Sequence, residues 1–130
     1  SIAEAVALQA AIEYLHQWGV SQIRQHEQEL VAHALNCLVE EPDVTVYGPS
    51  QASKRTGVVS FDLEGVHPHD VAQILDETGI AVRAGHHCTQ VLHERLGVRA
   101  TVRLSMALYN TLEEIDRAIS ALANVRKVFS

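Results

Sequence analysis

Two runs of this chain alternate apolar and polar residues with a period of two, and they constrain the fold more than any other feature. In the first, Val59, Phe61 and Leu63 alternate with Ser60 and Asp62; in the second, Ala100, Val102, Leu104, Met106 and Leu108 alternate with Thr101, Arg103 and Ser105. Period-two alternation specifies a strand with one face buried and one face open. Around these runs the apolar residues recur at helical spacing instead. Ile2, Val6, Leu8, Ile12, Leu15 and Trp18 mark one amphipathic helix ended by Gly19, and Ser21 is placed to cap a second, with Ile23, Leu30, Val31, Leu35 and Leu38 as its stripe. Pro42 stops that helix.

Between and after the alternating runs the pattern continues. Val44–Tyr47 reads as a short strand and residues 48–55 as an exposed loop. Pro68 stands at a first helical position, Val71, Ile74 and Leu75 face inward, and Gly79 closes that helix. Residues 80–83 read as a strand, Leu92 and Leu96 as the anchors of a brief helix ending at Gly97, and Thr111 with Glu114 as a capping box. Ile115, Ala118, Ile119, Leu122 and Val125 then follow one helical stripe. Helices covering one face of a small, mostly antiparallel sheet make an α+β domain. The sheet order is not legible at this level.

A chain of 130 residues supports one core and buries roughly two-thirds of its unfolded surface. The balance of 10 basic against 16 acidic residues, net −6, argues against nucleic-acid binding. No apolar stretch reaches the roughly 20 residues of a membrane span. Two cysteines, Cys37 and Cys88, do not make a disulfide framework, which places the chain by default in a reducing, cytoplasmic setting. Its one methionine is Met106, and Ser1 opens almost directly into a helix; methionine removal would explain this, but the expectation is a C-terminal piece of a longer protein.

The chemistry gathers between Gly79 and Arg103. Arg83-Ala84-Gly85-His86-His87-Cys88 puts a thiol directly after two imidazoles and five residues after a guanidinium. Cationic neighbours favour the thiolate, which is the nucleophile. Arg103, on a strand, is a rigid fork suited to a carboxylate, although a structural pairing with Asp62 is an alternative. His86, His87, Cys88 and His93 include zinc-type donors, but successive residues of an extended segment point in opposite directions, so no metal site is expected. His67 and His69 read as cap or surface residues, Trp18 as a core or domain-contact residue, and Cys37 as a packing residue. Cys88 as an inert core thiol fits poorly with its polar, glycine-linked setting.

These residues, with Gly65-Val66-His67-Pro68-His69-Asp70 before them and Tyr109-Asn110-Thr111 and Glu113-Glu114-Ile115-Asp116 after, resemble the C-terminal part of a SufS-like cysteine desulfurase of the class V aminotransferase family. The resemblance implies the small C-terminal domain of a fold-type I pyridoxal-phosphate enzyme. Residues 1–20 would be a lead-in helix at the domain junction and residues 21–130 the small domain, with the cofactor domain absent. It further implies that Cys88 takes sulfur from L-cysteine as a persulfide, releasing L-alanine, that Arg103 holds the substrate carboxylate, that Arg83 lines the pocket, and that His86 and His87 support it. A sulfur acceptor of the SufE or SufU type, iron–sulfur cluster assembly and a homodimer would follow for the intact enzyme. Thr89, Val91 and His93 depart from the residues usual in relatives, and the only lysines, Lys54 and Lys127, lie in no cofactor motif. The functional alternative is a free-standing sulfur-carrier or partner-docking module using Cys88.

Overall fold

Gly19 divides the helical N-terminal region in two. The computed structural model describes residues 1–129 and shows α1 at Ile2–Trp18 and α2 at Val20–Glu40. At φ 76 the glycine adopts a conformation costly for other residues, and its N–H closes onto the Leu15 carbonyl at 3.1 Å. Because one residue accomplishes the turn, α2 starts at once and Ser21 falls inside its first turn rather than capping it. α2 buries Leu30, Val31, Ala34, Leu35 and Leu38. α1 buries nothing: Ile2, Val6, Leu8, Ile12, Leu15 and Trp18 all remain exposed. Neither helix is long and apolar enough to cross a membrane, nor is any other among the described residues.

The strands follow as β1 (Val44–Tyr47) and β2 (Val58–Leu63), then α3 (Pro68–Glu77), β3 (Arg83–Gly85), α4 (Gln90–Leu96), β4 (Thr101–Ser105), α5 (Leu112–Ser120) and α6 (Leu122–Phe129). They form a four-stranded antiparallel sheet in the order β1-β2-β4-β3. The alternation sends Val59, Phe61, Leu63 and Val102 into one core with Leu30, Leu38, Val71, Leu75, Ile119, Leu122 and Val125. The fold is therefore α+β, with α2, α3, α5 and α6 on the apolar side of the sheet, α1 packed against α2, and α4 set through His93 on Thr101 of the opposite face. Gly57 is required by contact: a Cβ there would lie 2.4 Å from the Met106 carbonyl, which is where β2 and β4 begin to pair.

Four further local readings change. The strand expected at residues 80–83 starts only at Arg83, because α3 ends in a Schellman motif: Gly79 N–H bonds the Asp76 carbonyl at 2.9 Å and Ile80 N–H the Leu75 carbonyl at 3.0 Å. Ile80 thus commits its donor to the helix end, while it and Val82 pack on the core. The single last helix is two, broken at Ala121, with the apolar stripe buried on both sides of the break. The exposed loop before β2 contains a 3₁₀ turn, Ala52–Lys54, and Arg55 in it is buried, its guanidinium donating to the Tyr47 and Pro49 carbonyls at 2.8 and 2.5 Å. Finally, Leu92 and Leu96 are about half exposed and do not anchor α4; His93, 5% exposed, does.

Candidate functional site

β3 and β4 bring together the two arginines of the sequence motif. Their register sets Arg83 directly opposite Arg103, Ala84 opposite Val102 and Gly85 opposite Thr101. Since Val102 points into the core, Arg103 and its cross-strand partner Arg83 share the face turned away from it, together with Thr101 and Ser105. Arg103 donates from Nε to Ser105 Oγ at 3.0 Å. The ion pairs found among the described residues are His33–Asp116 and Arg126–Glu41, so no carboxylate answers either Arg83 or Arg103 there. The alternative partner Asp62 lies opposite Thr45 and accepts from its neighbour Leu63 N–H at 3.1 Å; burial pushes its carboxyl above the usual carboxylate range. Two cations set opposite one another without a carboxylate partner leave guanidinium donors open to an anion.

The nucleophile candidate sits on the turn that leaves β3. His87 (φ 53) and Cys88 (φ 63) are both left-handed, a conformation that costs a non-glycine residue roughly 1–2 kcal/mol. Hydrogen bonds hold the turn: the His86 carbonyl accepts from Thr89 N–H at 2.8 Å and from Thr89 Oγ1 at 2.7 Å. The result is an exposed Cys88 on a tight hook, not a core thiol. The His87 ring turns inward, 3.0 Å from Thr101 Oγ1, and its Nδ1 is buried without a partner. Burial first, and then the Arg103 guanidinium, push His87 below the ordinary histidine range, so it is a neutral imidazole at neutral pH. His86 stays exposed, its ring 5.5 Å from that of His93 and perpendicular to it.

Sequence reasoning missed Thr101 and His93 as members of this site. Thr101 was visible on the Arg103 face of its strand, and His93 at four residues from Thr89, but only the tertiary structure folds the hook onto β4 and buries both. His67 caps α3, its Nδ1 accepting from His69 N–H at 3.3 Å. Cys37 is half buried and packs on the core, 3.7 Å from His33 Nε2, the same nitrogen that meets Asp116 at 2.5 Å. Both contacts share one nitrogen, so these three residues form no proton relay. Burial, then Asp116 and Glu41, push the Cys37 thiol up, away from the reactive thiolate. A cleft of ≈ 240 Å³ is lined by Leu104, Ser105, Met106, Asn110, Glu114 and Ile115, and neither Arg83 nor Arg103 lines it.

The profile of the family described as Aminotransferase class-V matches residues 1–118. Over 128 residues the chain is 51% identical to a probable cysteine desulfurase of Halalkalibacterium halodurans and 47% identical to one of Streptomyces coelicolor, in each case covering 98% of this chain and 31% of the relative. Among solved structures, the apo cysteine desulfurase of Thermococcus onnurineus NA1 superposes with a TM-score of 0.90 at 41% identity, over 95% of this chain and 30% of that one. The Escherichia coli cysteine desulfurase CsdA, solved as its S-sulfonic acid, gives a TM-score of 0.84 at 32% identity, over 93% and 29%. The chain thus spans about a third of the length of these relatives.

Proposed function

The chain belongs to the class-V aminotransferase family, and from that premise we propose that it is the nucleophile-bearing C-terminal part of a cysteine desulfurase. The observation that carries the reading is the unanswered Arg83–Arg103 pair beside an exposed, left-handed Cys88. In this reading Arg103 grips the carboxylate of L-cysteine with two parallel N–H donors, and Arg83 lines the same pocket. The Cys88 thiolate attacks the substrate sulfur: a sulfur–sulfur bond forms, the substrate carbon–sulfur bond breaks, and its electron pair stays on the carbon, which takes a proton and leaves as L-alanine. His87 is the neutral imidazole behind the hook and His86 flanks it in solvent.

Pyridoxal phosphate, when bound, would supply the electron withdrawal that lets this bond break. The residues present here do not fit an anchored pyridoxal phosphate. Lys54 ends a 3₁₀ turn against α2 and Lys127 lies on α6, and neither belongs to the β3–β4 segment. The proposal accordingly assigns the cofactor lysine to protein outside this chain, residues 1–20 to the junction with it, and residues 21–130 to the small domain. The exposed apolar stripe of α1 supports that assignment, as a surface needing cover. A homodimeric cytoplasmic enzyme passing sulfur to a SufE- or SufU-type acceptor for iron–sulfur assembly completes the reading.

The test uses the whole enzyme. Cys88→Ser abolishes persulfide formation and alanine release while the cofactor's absorption band persists; Arg103→Lys keeps the fold and raises KM for cysteine. Undiminished alanine from Cys88→Ser removes the nucleophile role. The 130-residue chain by itself releases no alanine, and borohydride trapping of the cofactor on Lys54 or Lys127 would contradict that.

A further inference from the structure

Behind Cys88, three side chains form a hydrogen-bonded line whose polarity can be worked out from one end. His93 Nδ1 lies 3.0 Å from the Thr89 carbonyl and 3.4 Å from Thr89 Oγ1, whose own proton is committed to the His86 carbonyl. Both neighbours are acceptors toward His93, so its Nδ1 carries the proton. His93 is 5% exposed, and no carboxylate pairs with it among the described residues. A second proton on Nε2 would therefore bury an unpaired charge, and Nε2 is a bare acceptor. Thr101 Oγ1 lies 3.2 Å from it and donates its one proton there. The same oxygen, 3.0 Å from His87 Nε2, has only lone pairs left to offer, so His87 must donate from Nε2. In the neutral His87 ring, Nδ1 is then a bare lone pair, and it is the buried, unpartnered nitrogen. The opposite polarity would leave an orphaned buried N–H at His87 and a charge at His93 as well.

We propose that Thr101 and His93 are positioning residues that lock His87 in the Nε2–H tautomer and brace the left-handed hook presenting Cys88. A ring tethered to β4 holds His87 at φ 53 and, through the chain, Cys88 at φ 63, which offsets the strain of that conformation. The lock also keeps the buried Nδ1 a bare lone pair, with no orphaned N–H behind the hook. The tautomer follows from the hydrogen bonds alone; its use in sulfur transfer rests on the desulfurase reading.

The experiment is nitrogen-15 NMR of histidine-labelled protein, wild type, Thr101→Val and Thr101→Ser, with melting temperatures and the hydrogen exchange of Thr89 N–H measured alongside. Wild type and Thr101→Ser should show His87 with a pyrrole-like Nε2 and a pyridine-like Nδ1. Thr101→Val, which keeps the shape but lacks the hydroxyl, should mix the two tautomers and speed Thr89 exchange roughly fivefold, the factor that one neutral hydrogen bond sets. A protonated Nδ1 in the wild type overturns the proposal, and this holds even if the valine variant does not fold. An unmixed Nε2–H tautomer in folded Thr101→Val overturns it too, as does loss of the pattern in Thr101→Ser. None of these readouts involves turnover, so they stand apart from alanine release, on which the desulfurase reading is judged.

Discussion

Arg83→Gln should make the protein more stable. Arg83 and Arg103 are cross-strand partners on one face, and residues so placed have Cβ atoms about 4.5–5.5 Å apart. Two guanidinium charges about 6.5 Å apart repel by about 0.6 kcal/mol in water, and by about 1.3 kcal/mol at an effective dielectric constant of about 40. Exposed side chains splay apart, which brings the expected gain on removing one charge to about 0.5 kcal/mol, inside the range of about 0.2–1 kcal/mol for such pairs. The protein is acidic overall, at net −6, so losing a cation costs something at long range. That term is screened beyond about 10 Å in 0.1 M salt, and the short-range repulsion wins. With an unfolding entropy of about 2.1 cal/mol/K per residue, a 130-residue domain should gain about 2 °C in Tm. The assay is thermal unfolding in 0.1 M and 1 M sodium chloride, since about 3 Å of screening length should erase the gain. A lowered Tm, or a gain unchanged in 1 M salt, would refute the argument and make Arg83 a structural cation.

Brief iodoacetamide treatment should label Cys88, exposed on its hook, well before Cys37, half buried with its thiol pushed up; peptide mapping reads the order, and equal labelling would contradict the site assignment. Because His87 is held below its ordinary value, near 6.5, the unfolded chain takes up its proton first, so the stability this residue contributes is complete above about pH 6.5 and is lost as pH falls toward the folded value. Melting curves from pH 8 to 5.5 should therefore slope less steeply in His87→Gln than in the wild type. Phe61→Ala, which empties the centre of the sheet's buried face where the side chain is 1% exposed, should cost about 3–5 kcal/mol in urea unfolding; a loss below about 1 kcal/mol would mean the core lies elsewhere.

The sequence by itself determined whatever depends on a few neighbouring residues. The period-two runs placed β2 and β4, the helical stripes placed α2, α3, α5 and α6 on the apolar side, and the Thr111–Glu114 capping box formed as its spacing required. The arginine–glycine–histidine–cysteine run marked the segment where the chemistry would gather. What depends on distant partners was decided only by the tertiary structure. The order β1-β2-β4-β3 is not written in any local pattern, yet it alone sets Arg83 opposite Arg103, twenty residues apart in the chain. Ile80 lost its strand because the end of α3 took its N–H, a competition between two local preferences that periodicity does not weigh. His93 became an anchor in place of Leu92 and Leu96 because Thr101 and Thr89 satisfy both of its nitrogens once the hook folds over β4, and a buried polar ring is tolerable only with such partners.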